Sequence, residues 1–395
     1  MTAGGALITR APVRISFGGG GTDLTAYYER YGGLVVSAAI TRYCYVEAAD
    51  APRGGLRVDS ADYGLGLSFP RGVAPTVAEP LVLPRAALEW FYGLGLRQRG
   101  VALRLRADVP PGTGLGSSSA MAVALVRALA ARCDAPLDAA AAAELASWLE
   151  IERLGMPIGK QDQYASAFGG LNAIEFRTDG VRVTPLLLAP SVVAALEERL
   201  LLFATGQSRQ AATILRQQQA DTVAKPAVVE SLHELKALAS AMVAALRRAD
   251  LDGFGRLLDD AWQRKKRLSA RVSSVAIDGW YAAARAAGAL GGKIAGAGGG
   301  GFLLLYCPPS AQPALRAAMA RQGLTELPFA FDFAGARVAA VSTPSSARSA
   351  PAPGGGRAEP LSLATSRDSR AADGRASERA AAGLLLASPH AATGG

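Results

Sequence analysis

Pro110-Pro111-Gly112-Thr113-Gly114-Leu115-Gly116-Ser117-Ser118-Ser119-Ala120-Met121 joins two segments of different character. Before it, Val101–Val109 (Val-Ala-Leu-Arg-Leu-Arg-Ala-Asp-Val) reads as a strand. After it, an alanine- and leucine-rich pattern from Ala120 to Arg132 reads as a long helix. Strand, three glycines at every second position, three serines and then a helix is the layout of a phosphate cradle. Glycines free the backbone to turn its N–H groups onto an anion. The helix start adds unpaired N–H groups and the positive end of its dipole. A serine hydroxyl there can also ligate a phosphate-bound Mg²⁺. The alternative is a glycine turn closed by a serine N-cap.

The common phosphate and nucleophile motifs do not fit. A P-loop requires G-x-x-x-x-G-K-[ST], yet Gly292-Lys293 and Gly159-Lys160 are followed by Ile294 and Gln161. Gly112, Gly114 and Gly116 lack the closing glycine of a dinucleotide fingerprint, and no glycine closes the serine run into a nucleophile elbow. His233 and His390 lie far along the chain from each candidate segment, against a Ser-His hydrolase.

Pro-x-Gly-x-Gly-Leu-Gly-Ser-Ser-Ser-Ala resembles the second motif of the GHMP kinases, ATP-dependent small-molecule kinases that lack a Walker P-loop. Arg10-Ala-Pro-Val-Arg-Ile-Ser-Phe-Gly-Gly-Gly-Gly-Thr-Asp-Leu24 is similar to their first motif in its sugar-kinase form. Gly292-Lys-Ile-Ala-Gly-Ala-Gly-Gly-Gly-Gly-Phe302 is similar to the third. The resemblance implies an α+β, two-domain GHMP kinase architecture: an N-terminal domain like ribosomal protein S5 domain 2, a ferredoxin-like C-terminal domain, and a site between them. It also implies that Pro111, Gly112, Gly114, Leu115, Gly116, Ser117, Ser118 and Ser119 bind ATP.

The residues alone support a two-domain reading. At 395 residues the chain is long enough for two cores, and half of its residues are hydrophobic. Short β-rich runs at 7–17, 33–49 and 55–69 precede helical patterns at 84–98, 119–133 and 138–154, the last N-capped by Asp138. From 191 onward helices dominate (192–199, 208–223, 227–249, 251–267, 276–288), with strands at Leu200–Ala204, Phe302–Cys307 and Gly335–Val341. The expected domains are 1–190 and 191–342. From Thr343 the chain turns to Pro, Ser, Ala, Gly and Arg with no apolar period, so 343–395 is expected to be a disordered tail.

The formal charge is +9, of which the part before Thr343 carries +7. The basic residues are dispersed and form no nucleic-acid module, so an anionic small substrate with ATP suits that field better. No apolar run reaches the roughly 18 residues of a membrane span, the start lacks a secretory pattern, and Cys44, Cys133 and Cys307 show neither metal nor disulfide spacing. The expected partners are ATP and a small phosphosugar, with neither nucleic acid nor membrane; the cytoplasm is the expected compartment, and a homodimer is allowed for.

Phosphoryl transfer needs a charge clamp, a cation and a group that orients the attacking hydroxyl. Residues 150–164, Glu-Ile-Glu-Arg-Leu-Gly-Met-Pro-Ile-Gly-Lys-Gln-Asp-Gln-Tyr, offer carboxylates at a helix end and in a glycine-flanked loop. Glu152 with Ser118 is the expected Mg²⁺ pair, with Glu150 as the rival ligand facing another direction. Asp162 is the expected catalytic carboxylate, and Arg14 suits a phosphate or developing alkoxide beside it. The resemblance supports these roles and aligns Asp23 with a sugar-binding Asp. Gly20-Gly21 stand where galactokinase-like members carry Glu-His, which leaves more room and suggests a bulkier or phosphorylated sugar. Thr22, Lys160, Gln161, Arg209, Gly298 and Gly299 complete the expected substrate contacts. Lys293 is a further candidate near the site.

Within the family, Arg14–Leu24, Gly159–Ala165 with Gly169-Gly170-Leu171-Asn172, and Thr205–Arg209 most resemble the heptose 7-phosphate kinase branch. That resemblance implies phosphorylation of the anomeric hydroxyl of D-glycero-D-manno-heptose 7-phosphate, or of another sugar such as L-fucose; a non-catalytic nucleotide- or sugar-binding regulator on the same scaffold would lack the catalytic carboxylates, and Glu152 and Asp162 are both present. A terminal phosphate would need a cationic clamp, for which Arg209, Lys160 and Arg10 are unranked candidates.

Overall fold

The computed structural model describes residues 5–51, 54–207 and 211–340; Arg209 and the 343–395 tail lie outside the described residues. The chain runs β1 (Leu7–Gly18), α1 (Thr25–Tyr31), β2 (Gly33–Ala49), β3 (Leu56–Ser60), β4 (Leu65–Phe69), α2 (Val82–Phe91), α3 (Arg97–Arg99), β5 (Val101–Ala107), α4 (Ser117–Arg132), α5 (Ala139–Trp148), α6 (Gln161–Phe168), β6 (Leu171–Arg177) and β7 (Gly180–Pro185). The second half adds α7 (Pro190–Arg199), β8 (Leu200–Ala204), α8 (Ala211–Ala224), α9 (Pro226–Arg247), α10 (Leu251–Lys266), α11 (Val275–Ala286), β9 (Gly291–Ile294), β10 (Phe302–Tyr306), α12 (Gln312–Arg321), β11 (Thr325–Glu326) and β12 (Arg337–Ala340). Among the described residues no helix is long and apolar enough to cross a membrane.

The first body is an eight-stranded sheet in the order β12-β1-β2-β5-β3-β4, with β6 on β2 and β7 on β6. In β5, Val101, Leu103 and Leu105 are buried while Arg104 and Arg106 are exposed, the period-2 pattern of a sheet with one covered face. The cover is α4. Ala120, Val123, Leu125, Val126 and Leu129 are fully buried on it, so the helix is apolar nearly all round and sits inside the fold. Only its first turn reaches a cleft. Helices α2, α5 and α6 flank it.

The second body is a four-stranded antiparallel sheet, β11-β8-β10-β9. Counted within that body, the order is 4-1-3-2, that of a βαββαβ ferredoxin-like unit. Helices α8 to α11 fill the first crossover and α12 the second. The expected two-domain architecture is therefore present. β12 leaves the second body and pairs antiparallel with β1, from Leu7↔Ala340 to Arg10↔Arg337. It covers an edge of the first sheet that would otherwise expose unpaired backbone groups. The first body thus takes its last strand from the end of the 191–342 segment.

Candidate active site

A cleft of roughly 430 Å³ opens where the two bodies meet. Gly112, Gly114 and Gly116 have φ of +75°, +84° and +75°, values that an L side chain adopts only at a cost. They turn the chain off β5 into α4. The αL residue Gly116 stands at the N-cap position and has no side chain with which to cap the helix. The first N–H groups of α4 are thus left for a ligand, and Ser117, Ser118 and Ser119 line the cleft with the three glycines. Leu115 departs from the expected set. Its side chain is fully buried in the core, and its carbonyl accepts from the Arg14 N–H at 3.0 Å. Pro111 lines a neighbouring apolar cleft instead, of similar size, with Leu65, Leu81, Leu83, Leu105, Val109 and Met121. The two clefts share Tyr63, Ser117, Ser118 and Met156.

Asp162 enters from the first turn of α6. The Arg14 guanidinium donates to its Oδ1 from Nε at 2.7 Å and from Nη2 at 2.5 Å. Arg14 Nη1 donates to the Gly114 carbonyl at 2.6 Å, so one planar fork ties the carboxylate to the glycine loop. The other oxygen of Asp162 lies over Gly116, 2.9 Å from where a Cβ would stand. The expected pair Asp162 and Arg14 is brought together at the mouth of α4.

The carboxylate beside Ser118 is Glu150, not Glu152. α5 starts at Asp138, whose side chain accepts from the Ala141 N–H as expected of an N-cap, and then widens into a π turn over Leu149–Arg153. Glu150 faces inward there, fully buried, while Glu152 is exposed and its neighbour Arg153 pairs with Glu89 at the surface. The Ser118 hydroxyl donates to Glu150 Oε1 and Gln163 Nε2 to Oε2, both at 2.7 Å. Burial pushes the Glu150 carboxyl up to about 7, against these hydrogen bonds and reinforced by the nearby Asp162 charge. A hydroxyl and a carboxylate, both hard oxygen donors beside the phosphate cradle, fit Mg²⁺.

On the far wall, Asp23 is buried between two loops. It accepts at Oδ1 from the Gly21 N–H and at Oδ2 from Gln161 Nε2, each at 2.9 Å. Burial raises its carboxyl above the ordinary value, opposed by the Gly21 and Gln161 hydrogen bonds. Gly20, Gly21, Asp23 and Gln161 all line the cleft. Thr22 does not. Its hydroxyl is fully buried, shares its single proton between the Gly19 and Leu34 carbonyls and accepts from the Leu34 N–H; it holds the loop shut from behind.

Several expected contacts point elsewhere. Lys160 pairs with Glu144 at 2.6 Å, an acid that also accepts from the Tyr164 hydroxyl. Arg10 lies over the Tyr43 ring on the sheet. Gly298 and Gly299 form part of the β9–β10 hairpin and pack on Val272, whose carbonyl accepts from the Gly299 N–H at 2.8 Å. In that segment it is Gly296 and Ala297 that face the cleft. Lys293 is buried beneath it, donating to the Ser16 and Phe17 carbonyls at 2.7 and 3.3 Å.

Two lining residues escape a reading of motifs. Lys265, near the end of α10, is buried in the cleft wall and donates to the Gly296 carbonyl. Burial, with the Arg14 charge beside it, brings its ammonium down to about 8. Within an Arg-Lys-Lys-Arg run it looks like a solvated face, but Phe254, Leu258, Ala261, Trp262 and Lys265 share the helix's buried side; the helical period alone carried that signal. Gln218 comes from α8. A Cβ on Gly21 would stand 2.3 Å from its Nε2, so the room expected at Gly20-Gly21 is filled from the second body.

This site sits on a known pattern. The GHMP kinases N terminal domain matches residues 83–170 and the GHMP kinases C terminal domain residues 242–324. A Campylobacter jejuni D-glycero-alpha-D-manno-heptose 7-phosphate kinase is 32% identical over 311 residues, 76% of this chain and 89% of the relative. The crystal structure of a D-glycero-D-manno-heptose 1-phosphate kinase from Bacteroides thetaiotaomicron superposes with a TM-score of 0.71 at 27% identity, over 85% of this chain and all of that one. An Arabidopsis thaliana bifunctional fucokinase/GDP-fucose pyrophosphorylase is 28% identical over 341 residues, 80% of this chain but 31% of the relative. The chain belongs to the GHMP kinase family. It is an ATP-dependent phosphotransferase of the sugar-kinase kind.

Proposed function

We propose that this enzyme transfers the γ-phosphoryl group of ATP to the anomeric hydroxyl of D-glycero-D-manno-heptose 7-phosphate, giving the 1,7-bisphosphate for nucleotide-activated heptose synthesis. The observation that carries this reading is the convergence of three pairs on one cleft: Asp162 with Arg14, Ser118 with Glu150, and Asp23 with Gln161. In this reading the triphosphate lies on the N–H groups of α4 and the base enters the apolar cleft beyond Ser117. The sugar lies against Asp23, which accepts from its hydroxyls. The acceptor oxygen attacks phosphorus in line, the bond to the β-phosphate oxygen breaks, ADP leaves, and Asp162 takes the hydroxyl proton. Arg14 keeps Asp162 oriented and offsets the negative charge between carboxylate and phosphoryl group. Mg²⁺ held by Ser118 and Glu150 would neutralise charge on the phosphate oxygens. Lys265, bonded within the protein to a carbonyl, is the lining cation best disposed to hold a further phosphate oxygen.

The relatives' names place a phosphate at different sugar positions, so product analysis is the deciding experiment. Phosphorus NMR of the product from heptose 7-phosphate should show a new anomeric phosphate. A second reading, an L-fucose-type 1-kinase, draws on Lys160 and Arg10 being turned away from the cleft; equal kcat/KM on the unphosphorylated sugar would favour it. In either case Asp162→Asn should lower kcat by about 10³-fold with ATP affinity retained. Near-normal turnover would remove Asp162 from its role.

A further inference from the structure

We infer that Gln218 is a specificity-determining residue that reads an acceptor hydroxyl from the second body, in the space where the first body carries no side chain. The inference rests on the acceptor sugar occupying the Asp23 side of the cleft, as proposed above.

Three observations support it. First, Gln218 is 4% exposed and lines the cleft from α8, yet its Nε2 has no hydrogen-bond partner among the described residues. A buried donor without an acceptor is costly, and a ligand oxygen relieves that cost. Second, its carboxamide takes the volume above Gly21, a residue at φ +101° where any Cβ would collide with that amide. Glycine at 21 and glutamine at 218 are thus one packing arrangement. Third, the surrounding polar groups are complementary. Asp23 presents carboxylate oxygens, the Gln161 Oε1 and the Ser16 hydroxyl are also without partners among the described residues, and all line the same cleft. Vicinal hydroxyls of a sugar answer such a set, one donating to a carboxylate while its neighbour accepts from an amide. A purely electrostatic site for a phosphate would not need this alternation.

The test compares wild type with Gln218→Met, which keeps length and flexibility but removes the donor, on heptose 7-phosphate and its monodeoxy analogues. The expected result is a 10- to 100-fold loss of kcat/KM on the parent sugar, mainly in KM, with the KM for ATP unchanged. One deoxy analogue that wild type rejects should be used by Gln218→Met as well as the parent sugar is. Gln218→Glu, which keeps the shape and an oxygen but no amide donor, should show the same loss of discrimination and guards against a packing artefact. A uniform fall across all analogues would reduce Gln218 to a structural part, and unchanged kinetics would overturn the inference outright. If wild type phosphorylates only an unphosphorylated sugar, the heptose reading fails alone, and the same comparison is run on deoxy forms of that sugar.

Discussion

Two glycine-rich segments meet at the cleft, Gly112–Gly116 and Gly296–Gly301, and in sequence both read as places where backbone approaches a ligand. The structure separates them. In the first, the glycines turn the chain so that α4 opens onto the cleft, and Gly116 makes room for the Asp162 carboxylate. In the second, most glycines make room for other backbone: Gly296 lies on Gly114, Gly301 on the Thr113 carbonyl, Gly300 on Gln207 and Gly298 on Val272. The second segment is a hairpin that seats the first. Close approach is the shared cause, and the partner differs.

That difference should be visible in paired substitutions. Gly116→Ala places a methyl group 2.9 Å from Asp162 Oδ2 at φ +75°. The carboxylate is the mobile partner, so it must turn and loosen its hold on Arg14. We expect kcat to fall by roughly 10²–10³-fold, with a stability cost of about 1–2 kcal/mol from the left-handed backbone. Gly298→Ala, at φ +102° and 2.8 Å from the Val272 carbonyl, should reverse the pattern: a larger drop in thermal midpoint and kcat within about threefold. Steady-state kinetics with thermal unfolding of both variants decides it, and equal kcat losses at unchanged stability would dissolve the distinction.

A second pair sharpens the contrast between what faces the cleft and what only stands near it in sequence. Glu150→Gln keeps the shape and removes the charge beside Ser118; the Mg²⁺ requirement should rise and kcat/KM fall by roughly 10–100-fold. Glu152→Gln should change kcat/KM by less than about twofold, since its side chain is exposed. A Mg²⁺ titration of activity reads both, and the opposite ranking would restore the assignment made from sequence.

The elements themselves were largely legible. Leu7–Gly18, Gly33–Ala49 and Leu200–Ala204 fall within a residue of the runs their β-branched and apolar residues define. The short β9 and β11 were not, because glycine-rich Gly291–Ile294 and two-residue Thr325–Glu326 carry no pattern of their own and exist through pairing with β10 and β8. Nor was β6, whose Leu171–Arg177 run follows directly on the Gly169-Gly170 turn. β12 was read as a strand, but its pairing with β1 was not, since a strand's pattern does not name its partner. At the site, Asp162, Arg14, Asp23 and Ser118 came from motifs. Glu152 was read as the partner of Ser118 with Glu150 as its rival; it is Glu150 that stands beside Ser118, because the π turn decides which carboxylate faces in, and nothing in Leu-Glu-Ile-Glu-Arg announces the extra residue in that turn. Gln218 and Lys265 reach the cleft only when α8 and α10 pack onto the first body.

The smallest effect expected concerns pH, and it follows from the burial of Glu150. Its carboxyl is raised from an ordinary 4.5 to about 7, chiefly by desolvation. Between those values the folded protein holds a proton that the unfolded chain has released, so this group makes stability fall as pH rises through that window. A ligating carboxylate must be ionised, so in the proposed site protons and Mg²⁺ would compete for it below about pH 7. The Mg²⁺ concentration for half-maximal activity should therefore be up to tenfold higher at pH 6 than at pH 8. Glu150→Gln should flatten that dependence and leave the metal-free protein more stable than wild type at pH 8, because its neutral amide avoids the buried charge. Glu152→Gln should keep the wild-type profile. A pH-independent Mg²⁺ requirement in wild type would mean that the buried carboxylate does not meet the metal.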